Sequence, residues 1–219
     1  MRLKNILLFL ILFFFLIACE PPVLFNEPQP SETKSLLKFP RHLIGNYLSF
    51  SDNSVLKITE KTIVRIYNLE YNLCINELDK NLIIKGDSLI NINTNKGSVL
   101  TKNGDSLIVK IQSIDTLFKI NNNNVLKKFK GYYFISTLVT SNSWEVKKIM
   151  LSQGQLTISS ITNNIEIDDL MPIKESRLDS IPPYKFNPTK KQFKEFVKSD
   201  GFCDNEIFIR QNRDANRCY

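Results

Sequence analysis

Apolar residues in this chain follow two different patterns. Residues 6–17 form one unbroken apolar run. As a helix that run is about 18 Å long, short of the roughly 30 Å of a bilayer core, so it predicts a removable leader rather than a permanent span. From Leu43 onward the apolar positions come in short, β-branched and aromatic runs bounded by turn residues, which predicts strands. The first four are residues 44–50, 55–59, 62–67 and 71–76. Gly86-Asp87 separates two further runs with the spacing of a two-residue hairpin. Asn103-Gly104-Asp105 separates two more, of which the second alternates cleanly at Leu107, Val109 and Ile111, so one face is buried and one wet. Residues 116–120 add another strand.

The four asparagines at 121–124 read as a break between halves. Gly131-Tyr132-Tyr133 then echoes Gly45-Asn46-Tyr47, and each is followed by two more strands. The echo suggests a duplicated three-strand meander. Residues 163–179 are acidic and mixed, with a short helix expected to stop at Pro172 and a turn at Ile181-Pro182-Pro183. Residues 184–186 read as an edge strand. Thr189 and Gln192 have capping-box spacing, and Phe193, Phe196 and Val197 form one apolar stripe that should pack on the sheet. Gly201 is the expected stop, residues 206–210 the last strand, and 211–219 a loose tail. The expected fold is all-β, an antiparallel meander sheet or open barrel with a C-terminal helix packed on it. The expected parts are a leader (1–18), a Pro-rich tether (19–39) reaching roughly 25 Å, a first unit (40–121) and a second (125–210).

Arg2 and Lys4 precede the apolar run, and Leu16-Ile17-Ala18-Cys19 closes it. A basic head, an apolar middle and a small residue before the cut are the parts of a secretory signal. This ending resembles the lipobox of bacterial lipoproteins. The resemblance implies that Cys19 receives a diacylglycerol thioether, that the leader is cut before it, and that the new amine is acylated, palmitate being a typical acyl chain. Scarce alanine (Ala18 and Ala215) with abundant Asn, Ile, Lys and Phe is similar to the bias of small β-rich lipoproteins of Bacteroidota. Glu20 is not the aspartate that retains some lipoproteins in the inner membrane, and no acidic export cluster follows Cys19. By that resemblance the expected place is the outer membrane, facing the periplasm.

The whole chain is formally +7, and losing Arg2 and Lys4 with the leader leaves the mature part near +5. Its basic residues are dispersed rather than gathered with interleaved aromatics, which argues against a nucleic-acid partner. They read as a solvated surface, with contact to anionic headgroups, about 1 kcal/mol per residue, as the alternative. With Cys19 taken by lipid, Cys74, Cys203 and Cys218 remain, an odd set. Cys203 with Cys218 is the expected disulfide, closing a loop worth roughly 3 kcal/mol. Cys74 with Cys203 is the alternative, and otherwise Cys74 should be a buried free thiol.

Little catalytic chemistry is legible. Gly86-Asp87-Ser88-Leu89 and Gly104-Asp105-Ser106-Leu107 resemble the nucleophile block of one esterase family, but that family's later blocks are missing and His42, the only histidine, precedes both serines. Both copies are read as hairpin turns. His42 alone cannot build a zinc site, and Glu166, Asp168 and Asp169 read as a solvated acidic loop rather than a calcium site or an acid–base pair. Trp144, Tyr132, Tyr133 and Phe134 read as core aromatics. No cofactor or metal is expected. The leading expectation is a membrane-anchored, non-enzymatic binding or envelope-assembly module, bound to the bilayer through Cys19 and to an envelope protein or small apolar ligand. The alternatives are a serine hydrolase using Ser88 or Ser106, and a small-ligand carrier, since Gly-x-aromatic also resembles the opening of lipocalin-like barrels.

Overall fold

A computed structural model describes residues 21–75, 78–104, 106–162, 167–179 and 183–211. The expected leader, the first two residues of the expected turn at Ile181-Pro182-Pro183 and the tail from 212 lie outside them. In chain order the strands are β1 (Val23–Phe25), β2 (Ser35–Leu36), β3 (Gly45–Ser49), β4 (Val55–Ile58) and β5 (Thr62–Cys74). There follow β6 (Leu82–Lys85), β7 (Ser88–Asn91), β8 (Lys96–Asn103), β9 (Ser106–Lys119) and β10 (Asn124–Phe129). The last five are β11 (Tyr132–Thr140), β12 (Ser143–Ser152), β13 (Gln155–Ser160), β14 (Tyr184–Phe186) and β15 (Asp204–Arg210), with helix α1 (Lys190–Lys198) between β14 and β15. The protein is mostly β and antiparallel, as its alternating runs predict, while β1 and β14 pair in parallel. The ladders are open at β2 and β6.

The chain divides into two compact units. The first holds Met1–Phe39 and Ile120–Ile207, the second Pro40–Lys119 and Phe208–Tyr219. In the first, β2, β10, β11, β12 and β13 are successive neighbours. Lys130 and Gly131 both have positive φ, as do Gln153 and Gly154, and each pair is a two-residue hairpin loop of the primed kind. Beyond β13, the Ser159 and Ser160 hydroxyls donate to Asn205 Oδ1 (2.6 Å) and Asp204 Oδ2 (3.0 Å) at the start of β15.

The expected tether is not a tether. Val23, Leu24 and Phe25 are all buried, and β1 pairs with both β12 and β14. Three consecutive apolar residues among prolines bury more surface docked than free. Lys127 of β10 secures the next stretch: its buried Nζ donates to the carbonyls of Pro28 (2.7 Å) and Pro30 (2.8 Å). Gln29 is fully buried and accepts from the Ser31 backbone N–H.

Helix α1 forms as its sequence predicts. Thr189 and Gln192 make the reciprocal capping box, and Phe193, Phe196 and Val197 are buried. Phe193 is the hub of the first unit's core, with ring centroids 5.2 Å from Phe134, 5.9 Å from Phe25, 6.1 Å from Phe202 and 6.4 Å from Phe196. Gly201 takes part in the expected stop, though not as its left-handed residue. The left-handed residue after the helix is Asp200 (φ 56°), and the Gly201 N–H bonds the Phe196 carbonyl, closing a Schellman turn. Gly201 is required because a Cβ there would lie inside the Phe196 ring. Pro172 does not stop its helix either; a 3₁₀ segment, Ile167–Ser176, runs through it.

In the second unit the end of β15 from Phe208, then β3, β4, β5, β9, β8, β7 and β6 are successive neighbours. The runs at 62–67 and 71–76 are one strand, β5, and those at 106–111 and 116–120 are one strand, β9. They pair from Thr62↔Lys119 to Cys74↔Ser106 with one irregularity at Ile63/Val64. No turn interrupts either run, and each strand supplies the other's hydrogen bonds through its polar middle. Asn68 with Gln112 (3.0 Å) and Glu70 with Lys110 (3.0 Å) line one face there. Leu89, Leu100, Leu107 and Val109 form a small separate core at the far end. Cys74, expected inside, is exposed, because it ends β5 on the rim of the Gly104 hairpin.

Gly45-Asn46-Tyr47 proves to be a packed joint. Tyr47 is fully buried, donates to the Leu43 carbonyl (2.8 Å) and lies under the Arg210 guanidinium, 5.3 Å from ring centroid to Cζ. Arg210 also donates to the carbonyls of His42 (2.7 Å) and Ile44 (3.0 Å). The echo at Gly131 is of another kind, since that glycine sits in a hairpin turn.

Candidate functional site

The residues singled out in the sequence do not converge. Cys19 and Cys218 lie outside the described residues, as do Asp105 and Glu166, and the side chains of Asp168 and Asp169 are not described. Cys203 is an exposed thiol, unbonded among the described residues. Ser88 and Ser106 each open a strand, and Ser88 directly follows the two-residue turn Gly86-Asp87, whose geometry accounts for that Gly-Asp. His42 lies in the one-turn helix Arg41–Leu43, tied through its carbonyl to Arg210.

A concavity forms elsewhere, in the first unit. It is an open groove of about 670 Å³ whose lining includes Glu27, Glu32, Phe129, Lys190, Lys191 and Lys194. Its walls come from three places. The docked N-terminal segment supplies the two carboxylates, the end of β10 supplies Phe129, and the first turns of α1 supply three ammonium groups. Lys190 Nζ stands 5.7 Å from the Phe129 ring centroid, a cation–π contact. The groove exists because residues 26–34 fold back onto β10 instead of extending as a spacer. Ser31 Oγ donates to the Pro188 carbonyl (3.4 Å), which joins the two walls.

The charges lining the groove are of both signs. Two carboxylates and three ammonium groups in one lining suit a ligand that itself presents both signs, such as an extended peptide, with Phe129 as an apolar contact. At the helix start the capping box occupies the Thr189 and Gln192 N–H groups. Among the described residues there is no cluster of three metal-ligating side chains. None of the groove residues was legible as a site in the sequence. Lys190, Lys191 and Lys194 read as the wet face of a helix, and Glu27 and Glu32 as tether. The one available signal is the pairing of acidic residues in a proline-rich segment with a lysine-rich helix start.

Two buried lysines give this unit a distinctive alkaline response. Burial pushes the Lys127 pKa down, against the pull of Glu27 and with help from Lys190. Burial likewise lowers that of Lys148, opposed by Asp200; its Nζ stands 5.5 Å from the Tyr132 ring centroid. The folded state therefore releases these protons before the unfolded chain does. The stability they withhold is missing below the lowered values and returns as pH rises toward the ordinary lysine value of 10.5. Tyr47, in the second unit, has the opposite sign. Burial raises its pKa although Arg210 lowers it, so its contribution is intact below 10.0 and is lost as pH climbs through the raised value. Thermal melts of the wild type and Lys148→Met from about pH 8 to the ordinary lysine value test the first sign: the wild type should gain on the variant as pH rises, and a constant gap would contradict the shift.

No helix among the described residues is long and apolar enough to cross a membrane. No family model, curated protein or solved structure matches this chain.

Proposed function

We propose that this protein is a lipid-anchored component of a bacterial cell envelope, held to the bilayer through Cys19, and that it works as a non-enzymatic binding or assembly module. The observation that carries the reading is the leader itself: Arg2 and Lys4, the apolar run 6–17, and Leu16-Ile17-Ala18-Cys19. Each part answers a separate requirement of export, processing or thiol acylation, and a chance coincidence of all of them at an N-terminus is rare. The binding part of the reading is supported by the groove of the first unit, whose mixed charges suit an extended polar partner.

The test is Cys19→Ser in cells that process lipoproteins. The wild type should fractionate with membranes and carry the mass of the mature chain plus a diacylglyceryl group. The variant should keep its leader, because the cut depends on the lipidated thiol, and should lack the lipid mass. Equal masses after processing for the two proteins would refute the anchor.

A further inference from the structure

From the position of β1 we infer that the first unit rests directly on the bilayer surface, through a face that includes Arg177, Leu178, Tyr184 and Lys185. This inference rests on the proposed lipidation of Cys19. Pro22 follows Cys19 by three positions, so the chain between them spans at most about 11 Å. Pro22 already belongs to the folded unit: its carbonyl accepts from the Tyr184 N–H (2.9 Å), and Val23 is buried directly after it. A thioether lipid at Cys19 places its glycerol in the headgroup layer. The folded unit then has no slack with which to stand away from that layer.

The register says which residues come nearest. β1 and β14 are parallel, with Val23 opposite Tyr184 and Leu24 opposite Lys185, so both strands begin at the edge that faces the anchor. The preceding segment pairs on the outer side of β14: the Leu178 N–H bonds the Lys185 carbonyl (2.7 Å), and Arg177 bridges Phe186. Arg177 also lies over the Tyr184 ring, 5.8 Å from its centroid. Leu178 is 54% exposed. An exposed apolar side chain opposite Lys185 and next to Arg177 in the chain matches the composition of an interfacial contact, in which the apolar part enters the headgroup region and the charged tips stay in water. Glu175 and Asp179 are exposed nearby, so the contact does not depend on a strong positive field.

The test uses the full, processed protein in vesicles of phosphatidylcholine with a minority of phosphatidylglycerol. In a Trp144→Phe background a single tryptophan is introduced by Leu178→Trp or by Val139→Trp. Val139 is exposed and follows Leu138, which pairs with Trp144, the residue opposite Phe25. It therefore lies at the end toward which β1 runs, away from the anchor. Lipids brominated near the headgroup should quench the Leu178→Trp protein at least about threefold more than the Val139→Trp protein, given interfacial burial of about 5–10 Å. Equal quenching in protein that carries the diacylglyceryl mass would overturn the surface contact and leave the anchor standing. Absence of that mass would overturn both. Matching thermal melts of the two variants establish that each is folded.

Discussion

Replacing Phe193 with alanine is expected to cost about 3–5 kcal/mol, the usual loss for a fully buried aromatic ring. The residue has no exposed surface, and its ring has aromatic neighbours from β1, β11, the helix itself and the segment before β15. These elements are far apart in sequence, so one deletion loosens all of them together. The strand backbones are fixed by hydrogen-bonded ladders and cannot collapse onto the space, which keeps the cost near the upper end of the range. Phe193→Leu refills part of the volume and should recover more than half of the loss. Urea unfolding checks this: the midpoint should fall while the slope stays constant. A loss under about 1 kcal/mol would show that the ring is not the hub of the core.

The second large effect is expected at Lys127. Lys127→Met keeps much of the length of the side chain and removes its hydrogen bonds to Pro28 and Pro30. The Pro30 carbonyl is buried, and a buried carbonyl left unpaired costs about 1–3 kcal/mol. With the weaker loss at half-buried Pro28, the sum is about 2–4 kcal/mol. The loss should be local as well as global. Residues 26–34 should become accessible to protease before the strands do, and the groove should open, because Glu27 and Glu32 are carried by that segment. Lys127→Arg retains a cation but not the fit. A neutral lysine still has two N–H groups for two carbonyls, so the wild-type segment should remain protected when Lys127 loses its proton. Protection in Lys127→Met equal to the wild type would mean that the buried β1 residues alone hold the segment.

Several features are legible from local chemistry. The alternation of Leu107, Val109 and Ile111, the Gly86-Asp87 hairpin, and the capping box with its Phe193, Phe196 and Val197 stripe depend on neighbours within a few residues. The hairpin, the capping box and its stripe appear in the structure as expected, and Leu107 and Val109 are buried, but Ile111 is exposed, beyond the end of the small core at that strand. The departures share one cause: each concerns a partner distant in sequence. Prolines at 21, 22, 28 and 30 signal an extended backbone, and an extended backbone is equally a tether or a docked strand. The choice between the two is made by β12 and β14, more than a hundred residues away. The polar middles of β5 and β9 look like breaks because a strand's continuity there is set by its partner's length, which no local window contains.

Charge, spacing and short-range hydrogen bonding are enough to read off the β-rich class, the tight hairpins and the start of the one α-helix described, and they alone carry the proposal of a leader and a lipidated Cys19. Three-dimensional packing was needed to place the segment after Pro21 within the folded first unit, to give Gly201 its role beneath the Phe196 ring, and to bring Glu27, Glu32 and three lysines to one groove. A buried residue's environment is made by chain segments that meet in space. A linear pattern records which residues can be buried without recording what they are buried against.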